Sequence, residues 1–546
     1  MLAKYNMKPS FLLGVPLVLL LGAAAPPALA PADPAAAARV RAHVEFLADD
    51  QLEGRATGSR GHEIAALYVA SQFRALGLQP GGERGSWYQR VPFRRATHDG
   101  TPELAFVAGG QRVPLKWAEQ AAVRPSVTER ETALLSPLVF AGYGIRDSVL
   151  GIDDFQGLDL SGKTVVIVSG TPAGLDTEVA AHLGSQKARM AAEAGAAGLI
   201  EISRTGGSLR LMEFTRRSAV DWVDSSGEAG SAPRGLRLRM AVNADIAERM
   251  FQGAPQSLAA IRTALAKPGA KLRSFPLNGA VEIKARSKWE DFSSPAVIGR
   301  LAGADPALMR EHVLLMGHLD HLGLKQDAKP GEDRVYNGAL DNAAGVATMI
   351  EAAHAFAASP QRTRRSLLFI AHTGEELGLL GADYWAAHPT VPIADVAAAV
   401  DLDMPVPLYQ FRDVVAFGAP HNSVARTVAE AGVTMGITVS PDPMPEQSIF
   451  VRSDHYPLAR RGIPAILLFT GYGNGGKPIW DQFFANRYHS VRDDLSQNIL
   501  WDAVARYADL NTRIARKLAD DPQRPRWYKG SYFGDRFAPL QPKVSP

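Results

Sequence analysis

Cysteine is absent from all 546 residues. This excludes disulfides, thiolate metal sites, a cysteine nucleophile and a lipid-modified N-terminal cysteine, so any metal must be held by His, Asp or Glu. Net charge is nearly absent too: 59 Lys and Arg against 56 Asp and Glu leave +3. With no long Lys/Arg run, neither nucleic acid nor an anionic membrane is implied as the main partner. Long apolar runs are missing beyond the N-terminus. The run Phe11 to Ala25 is short of the roughly 20 residues that a spanning helix needs. Lys4 and Lys8 precede it and Ala28-Leu29-Ala30 follows it, the layout of a secretory signal. Cleavage after Ala30 or after Ala32 fits that layout, and a retained anchor is the alternative. The expectation is a signal peptide over residues 1–30 and an exported mature chain, periplasmic or secreted, with no stable membrane association after cleavage.

What is present suits a large globular protein. Hydrophobic residues make up 46% and charged residues 21%, both ordinary for folded chains. At roughly 100–200 residues per domain there is room for two to four. Val40, Val44 and Leu47, then Ile64, Tyr68 and Phe73, stand at near-helical spacing. Strand-like runs at Leu138–Ala141, Thr164–Val168 and Gly198–Ile202, with an Ala-rich helix over Lys187–Ala197, suggest a small β-rich module. From about Pro295 apolar strands alternate with helices. Strands are expected at Val313–Met316, Ser366–Ala371, Val396–Leu402 and Ala465–Phe469, and helices at Gly345–Ala358, Glu376–Ala387, Asn422–Ala431 and Leu495–Leu518. Such alternation implies an α/β fold with a mainly parallel, doubly wound sheet. The division read from the chain is residues 38–130 as the N-terminal part of the main domain, 131–285 as an inserted β-rich domain, 286–520 as the catalytic part and 521–546 as a tail. The glycines of Gly471 to Gly476 read as a flexible loop.

Polar residues gather where these strands end, and open α/β sheets bind ligands there. His318 and Asp320 follow one strand, Glu375 and Glu376 another, and Asp403 a third. Asp341 opens a helix, and His489 lies in the loop before the last one. Several such ends without cysteine suggest an oxygen and nitrogen metal site. Residues two apart in an extended segment point the same way, so His318 and Asp320 can serve one site, with the Asp320 carboxylate accepting the His318 ring N–H. Adjacent Glu375 and Glu376 point differently and suit different roles. Asp341 is a candidate bridge between two metals.

The segments His318-Leu319-Asp320, Gly338 to Gly345, Glu375-Glu376-Leu377-Gly378, Leu402-Asp403-Met404, Arg452-Ser453-Asp454-His455 and Tyr488-His489-Ser490 resemble the M28 family of zinc aminopeptidases in order and gaps. Leu138 to about Ile202 resembles the protease-associated domain often inserted in that family. The resemblance implies two zinc ions, other divalent metals being able to replace them. One would be held by His318, Asp341 and Asp403, the other by Asp341, Glu376 and His489. It implies Glu375 as general base, Asp320 as the residue orienting His318, Tyr488 as donor to the oxyanion, and a cis peptide between Asp341 and Asn342. Peptides with a free N-terminus are the implied substrates. Asp401 stands where the family commonly has Asn, and could strengthen amine binding or bond to backbone. Trp480, Phe483 and Phe484 lie in a longer than usual segment, as pocket, lid or packing. His321 reads as a supporting residue behind the ligands and His354, His372 and His388 as structural, Asp454 equally as helix cap or pocket wall, and Ser453 as no nucleophile. Other readings keep the fold: a dipeptidase or carboxypeptidase, a glutaminyl-cyclase-like enzyme, or a receptor that has lost its metals.

Overall fold

The computed structural model describes residues 33–205, 211–216, 218–265, 267 and 272–546. The signal-peptide expectation for residues 1–30 lies outside the described residues. Among the described residues no helix is long and apolar enough to cross a membrane.

Four parallel strands form the centre of the main sheet, in the spatial order Ser366–His372, His312–His318, Val396–Asp401, Ala465–Thr470. Antiparallel partners extend it. The end of the long strand Phe275–Leu301 pairs with Ser366–His372, and Tyr88–His98 lies beyond it. On the far side Asp413–Phe417 runs against Ala465–Thr470, and Thr438–Ser440 pairs in parallel beyond it. The central strands are apolar along their whole length because both faces are covered. Val313 and Leu315 pack in the main core with helix Ala344–Ala358, whereas Leu314 and Met316 meet Trp385 and Leu458 on the other side, as a period of two requires. Helices Pro34–Leu47 and Trp501–Asp520 complete the first layer. The Asp33 carboxylate caps the former, accepting from Ala35 N–H at 2.9 Å.

A second sheet sits beside the first. Glu131–Phe140, Thr164–Val168, Gly198–Ile202 and Leu238–Val242 run parallel in that order. The two sheets share one strand: the first half of Phe275–Leu301 pairs with Glu131–Phe140 and Glu103–Ala108, its second half with Tyr88–His98. By pairing, the second sheet begins at Glu103, ahead of residue 131 where the sequence suggests the insert starts. Its helix Thr177–Glu193 leans on the catalytic part, where Glu178 accepts from His421 Nε2 at 2.8 Å, the Thr177 carbonyl accepts from Ser448 Oγ at 3.1 Å, and His182 meets the Tyr456 hydroxyl. The tail is pinned by buried Trp527 and Phe533, and the Tyr532 hydroxyl donates to Asp147 at 2.8 Å.

Several elements differ from the sequence expectation. The last helix, expected over Leu495–Leu518, spans Trp501–Asp520. The helix expected over Lys187–Ala197 spans Thr177–Glu193, because Asp176 caps its start. The helix expected from Glu376 begins only at Leu380. Gly374, Gly378 and Leu379 take positive φ there, and the residues before the helix form a turn that serves the site. The glycine-rich loop gives way at once to a helix over Gly476–Asn486. Gly471 packs so closely on Asp413 that an added Cβ would stand 2.1 Å from its carboxylate oxygen.

Candidate active site

The carboxyl ends of the four parallel strands deliver the site. His318 is the last residue of its strand. Its Nδ1 lies 3.0 Å from the main-chain carbonyl oxygen of Asp320. A carbonyl can only accept, so Nδ1 carries the proton and Nε2 is free to ligate. The expected contact from the Asp320 carboxylate is thus replaced by a main-chain one. That carboxylate instead accepts from Thr57 Oγ1 at 2.8 Å and faces the N–H groups of Glu375 and Glu376 at 3.3 and 3.4 Å. It shapes the turn that presents the two glutamates.

Asp341 lies in a distorted turn, Ala339–Ala343, entered from Gly338 at φ 59°. The Asp341–Asn342 peptide is cis. Asp493 holds this turn: its carboxylate accepts from Asp341 N–H at 2.9 Å and from Leu340 N–H at 3.1 Å, and its carbonyl accepts from Ala339 N–H at 2.9 Å. Asn342 donates to the Leu402 carbonyl at 2.9 Å. Gly345 is required beside it, since an added Cβ would stand 2.0 Å from Asn342 Oδ1.

The donor atoms converge in two sets. His318 Nε2 is 3.2 Å from Asp341 Oδ1 and 3.2 Å from Asp403 Oδ1. His489 Nε2 is 3.3 Å from Asp341 Oδ2 and 3.3 Å from Glu376 Oε2. The two oxygens of Asp341 therefore face two different imidazoles. These spacings exceed the roughly 2.7–2.9 Å of a charge-assisted hydrogen bond. They match the edge of a tetrahedron whose ligands stand about 2.0–2.2 Å from a central ion, roughly 3.3–3.6 Å. One ring nitrogen placed equally near two carboxylates is poorly served by a single proton and well served by a cation. The donor set thus fits two divalent ions. His321 is buried beside the second set, its Nδ1 2.7 Å from Glu376 Oε1, and it forms a close group with Asp341 and Glu376.

The electrostatics agree with that fit. Burial opposes a charged His318 ring, but Asp403, Glu375 and Asp341 outweigh it and hold the ring well above the usual imidazole range. Burial likewise opposes a charged Asp341, yet His321, His318 and His489 hold its carboxyl well below the usual range. Burial, aided by Glu376, Asp454 and Asp403, pushes Glu375 well above the ordinary glutamate range. So many carboxylates in one buried place demand positive charge. Arg55 supplies some. It is buried and donates to the carbonyls of Leu319, Asn337, Gly338 and Leu47. Burial lowers it to about 10 against the pull of Asp341 and Asp493.

Around these groups lies a cleft lined by Glu375, Met404, Ile449, Leu467, Phe469, Phe484 and Tyr488. Burial first, then Asp341, raises the Tyr488 phenol, which therefore stays protonated. Its ring stacks on His489 at 3.8 Å between centroids. The long segment divides its aromatics: Trp480 and Phe483 are core, Trp480 stacking on Phe469, and Phe484 is half-buried at the cleft. Asp401 is fully buried and accepts from His455 N–H at 3.0 Å and Ser453 Oγ at 2.8 Å. It therefore takes the backbone-bonding option. Ser453 Oγ is also 2.8 Å from Asp403 Oδ2, so its hydroxyl is shared between two carboxylates and is not paired with an imidazole as a serine nucleophile would be. Asp454 makes no side-chain cap at its helix. His388 lies apart from the site, against Trp222 and Tyr384. Sequence reasoning missed the parts played by Arg55 and Asp493, whose only signal is their burial among acids and carbonyls.

Fold and site together define a candidate metal centre built on nitrogen and oxygen ligands at the edge of a parallel sheet. Residues 296–515 match the profile of Peptidase family M28, and that part of the chain is a metallopeptidase domain. An aminopeptidase from Aneurinibacillus sp. strain AM-1 superposes with a TM-score of 0.50 at 20% identity, over 89% of this chain and 95% of that one. A zinc aminopeptidase from Bacillus subtilis gives 0.42 at 18%, over 89% and 96%. A glutaminyl cyclase from Porphyromonas gingivalis gives 0.31 at 19%, over 41% and 77%. At these identities the likeness concerns the fold. No curated protein matches the chain.

Proposed function

We propose that the protein is an exported two-zinc aminopeptidase that removes N-terminal residues from peptides. The observation that carries this reading is the Asp341 carboxylate, with one oxygen 3.2 Å from His318 Nε2 and the other 3.3 Å from His489 Nε2. Asp403 completes one set of ligands and Glu376 the other. When bound, the two ions supply Lewis acidity, polarising the scissile carbonyl and making water a better nucleophile.

The chain's own residues do the rest. Glu375, half-buried at the cleft, takes a proton from the attacking water and gives it to the leaving amine. Tyr488 donates from its hydroxyl to the carbonyl oxygen as negative charge develops. The free amine of the substrate lies among the acidic groups, which favours trimming at the N-terminus over internal cleavage. Met404, Ile449, Leu467 and Phe469 give the cleft an apolar wall. Asp320 keeps Glu375 and Glu376 at their separate tasks through their N–H groups. The second sheet is read as a protease-associated domain on the strength of its sequence motifs, and export on the N-terminal signal.

The test is a panel of aminoacyl anilides with free and N-acetylated amines, assayed before chelation, after it and with zinc restored. Cleavage of the free-amine substrates alone, lost and recovered with the metal, is expected. Cleavage of the acetylated substrates at equal rates would refute the proposal.

A further inference from the structure

The cleft over the ligands is small, with about 20 Å³ of open volume. Beside it lies a groove of about 380 Å³, within the roughly 300–1,000 Å³ typical of ligand sites. Phe484 lines both, so the two spaces meet at its ring. The groove runs between helix Gly476–Asn486 and the turn Pro445–Gln447. The wall joining them is continuous. Arg452 Nη2 lies 3.4 Å from the Tyr488 hydroxyl, and Arg452 Nη1 donates to the carbonyl and side-chain oxygens of Gln447 at 3.2 and 3.1 Å. A chain whose scissile carbonyl sits at Tyr488 is led along Arg452 to Gln447 and so into the groove.

The groove's lining residues carry one net negative charge, and Arg452 stands where the groove joins the cleft. Glu446 and Asp481 line the groove. Lys477, the one cation among its lining residues, is held by Asp481 at 2.8 and 3.0 Å. The same field reaches Tyr472, whose phenol burial first, then Asp481, Glu446 and Asp442, push up to about 12. Glu446 is exposed and in no ion pair among the described residues, so its charge is open to a ligand.

We propose that the peptide beyond the scissile bond lies in this groove, and that the enzyme prefers oligopeptides with a basic residue one or two positions after the bond it cuts. This rests on the aminopeptidase reading and adds the substrate class. The occupant is extended chain, whose side chains repeat every second residue on one face, so one of those two positions faces Glu446.

The experiment compares kcat/KM of the zinc-loaded protein for leucine anilide, which has nothing to place in the groove, with that for Leu-Ala-Lys-Ala, Leu-Lys-Ala-Ala and their Glu counterparts. At least one Lys peptide is expected to exceed its Glu partner about fivefold at low salt, and the gap should shrink as salt screens the pair. Glu446→Lys should erase or invert that ratio. Ala485→Trp, which fills the groove from its exposed helix face, should lower kcat/KM for the peptides relative to the anilide. Cleavage of anilide and peptides with equal Lys and Glu rates, unmoved by either substitution, overturns the groove and leaves the aminopeptidase reading standing. Failure to cleave any free-amine substrate overturns both.

Discussion

Asp493 offers a sharp test of how the bridging carboxylate is held. It is fully buried, 152 residues from Asp341 in sequence, and accepts from the N–H groups of Leu340 and Asp341. Asp493→Ala leaves two buried amides without an acceptor, at roughly 1–3 kcal/mol each, so about 2–6 kcal/mol is at stake. Part of this will appear as lower stability. The rest will appear as misplacement of Asp341, the one carboxylate shared by both ligand sets. Loss of an outer partner of this kind typically weakens metal binding about 10- to 100-fold. The assay is zinc competition against a chromogenic chelator, read beside thermal unfolding of the chelated protein. Asp493→Asn keeps an acceptor oxygen and should recover much of both quantities. Unchanged zinc affinity in Asp493→Ala, with unchanged unfolding temperature, would refute the view that Asp493 sets the geometry of Asp341.

Glu375→Ala should lower kcat by roughly 10²–10⁴, the usual contribution of a general base, with zinc content by atomic absorption unchanged. Asp341→Ala should instead lose both ions on dialysis, and two per chain remaining would contradict the bridge. Arg55→Met leaves the carbonyls of Leu319, Asn337, Gly338 and Leu47 without their donor; a loss of about 3–5 kcal/mol in chemical unfolding is expected, and Arg55→Lys should not restore it, because one ammonium cannot span that fork. Stability of the chelated protein should fall as pH rises above about 7, where the histidines of the unfolded chain have already lost their protons. His318 and Glu375 are both held above their ordinary ranges, so there the folded chain binds more protons than the unfolded one and the slope is negative. Toward acid the sign reverses: burial lowers His43, His182, His312 and His372 to about 4, so the unfolded chain takes up protons these rings refuse, and the depressed Asp341 carboxyl adds to that loss in stronger acid. Zinc should flatten the profile and release protons on binding, measurable by calorimetry in buffers of different ionisation enthalpy.

The sequence by itself determined the class of fold. Short unbroken apolar runs such as Val313–Met316, alternating with longer helical stretches, read as strands covered on both faces, and the structure has them at the centre of a parallel sheet. The missing cysteines fixed the kind of metal ligand, and the order of His, Asp and Glu at strand ends marked the edge where they gather. These are local properties, written in composition, period and spacing. Tertiary structure decided what depends on contacts far apart in the chain. His318 is oriented by a carbonyl two residues on, where the spacing alone favoured a carboxylate. Asp320 serves the Glu375–Glu376 turn 55 residues away, and that turn delays the helix to Leu380. Arg55 reaches the Leu319 carbonyl across 264 residues. Phe484 and Trp480 share one helix, yet one lines the cleft and the other fills the core. Spacing tells which residues can share a face, but which atom meets which depends on how separate elements pack, and packing is settled only when the whole chain has folded.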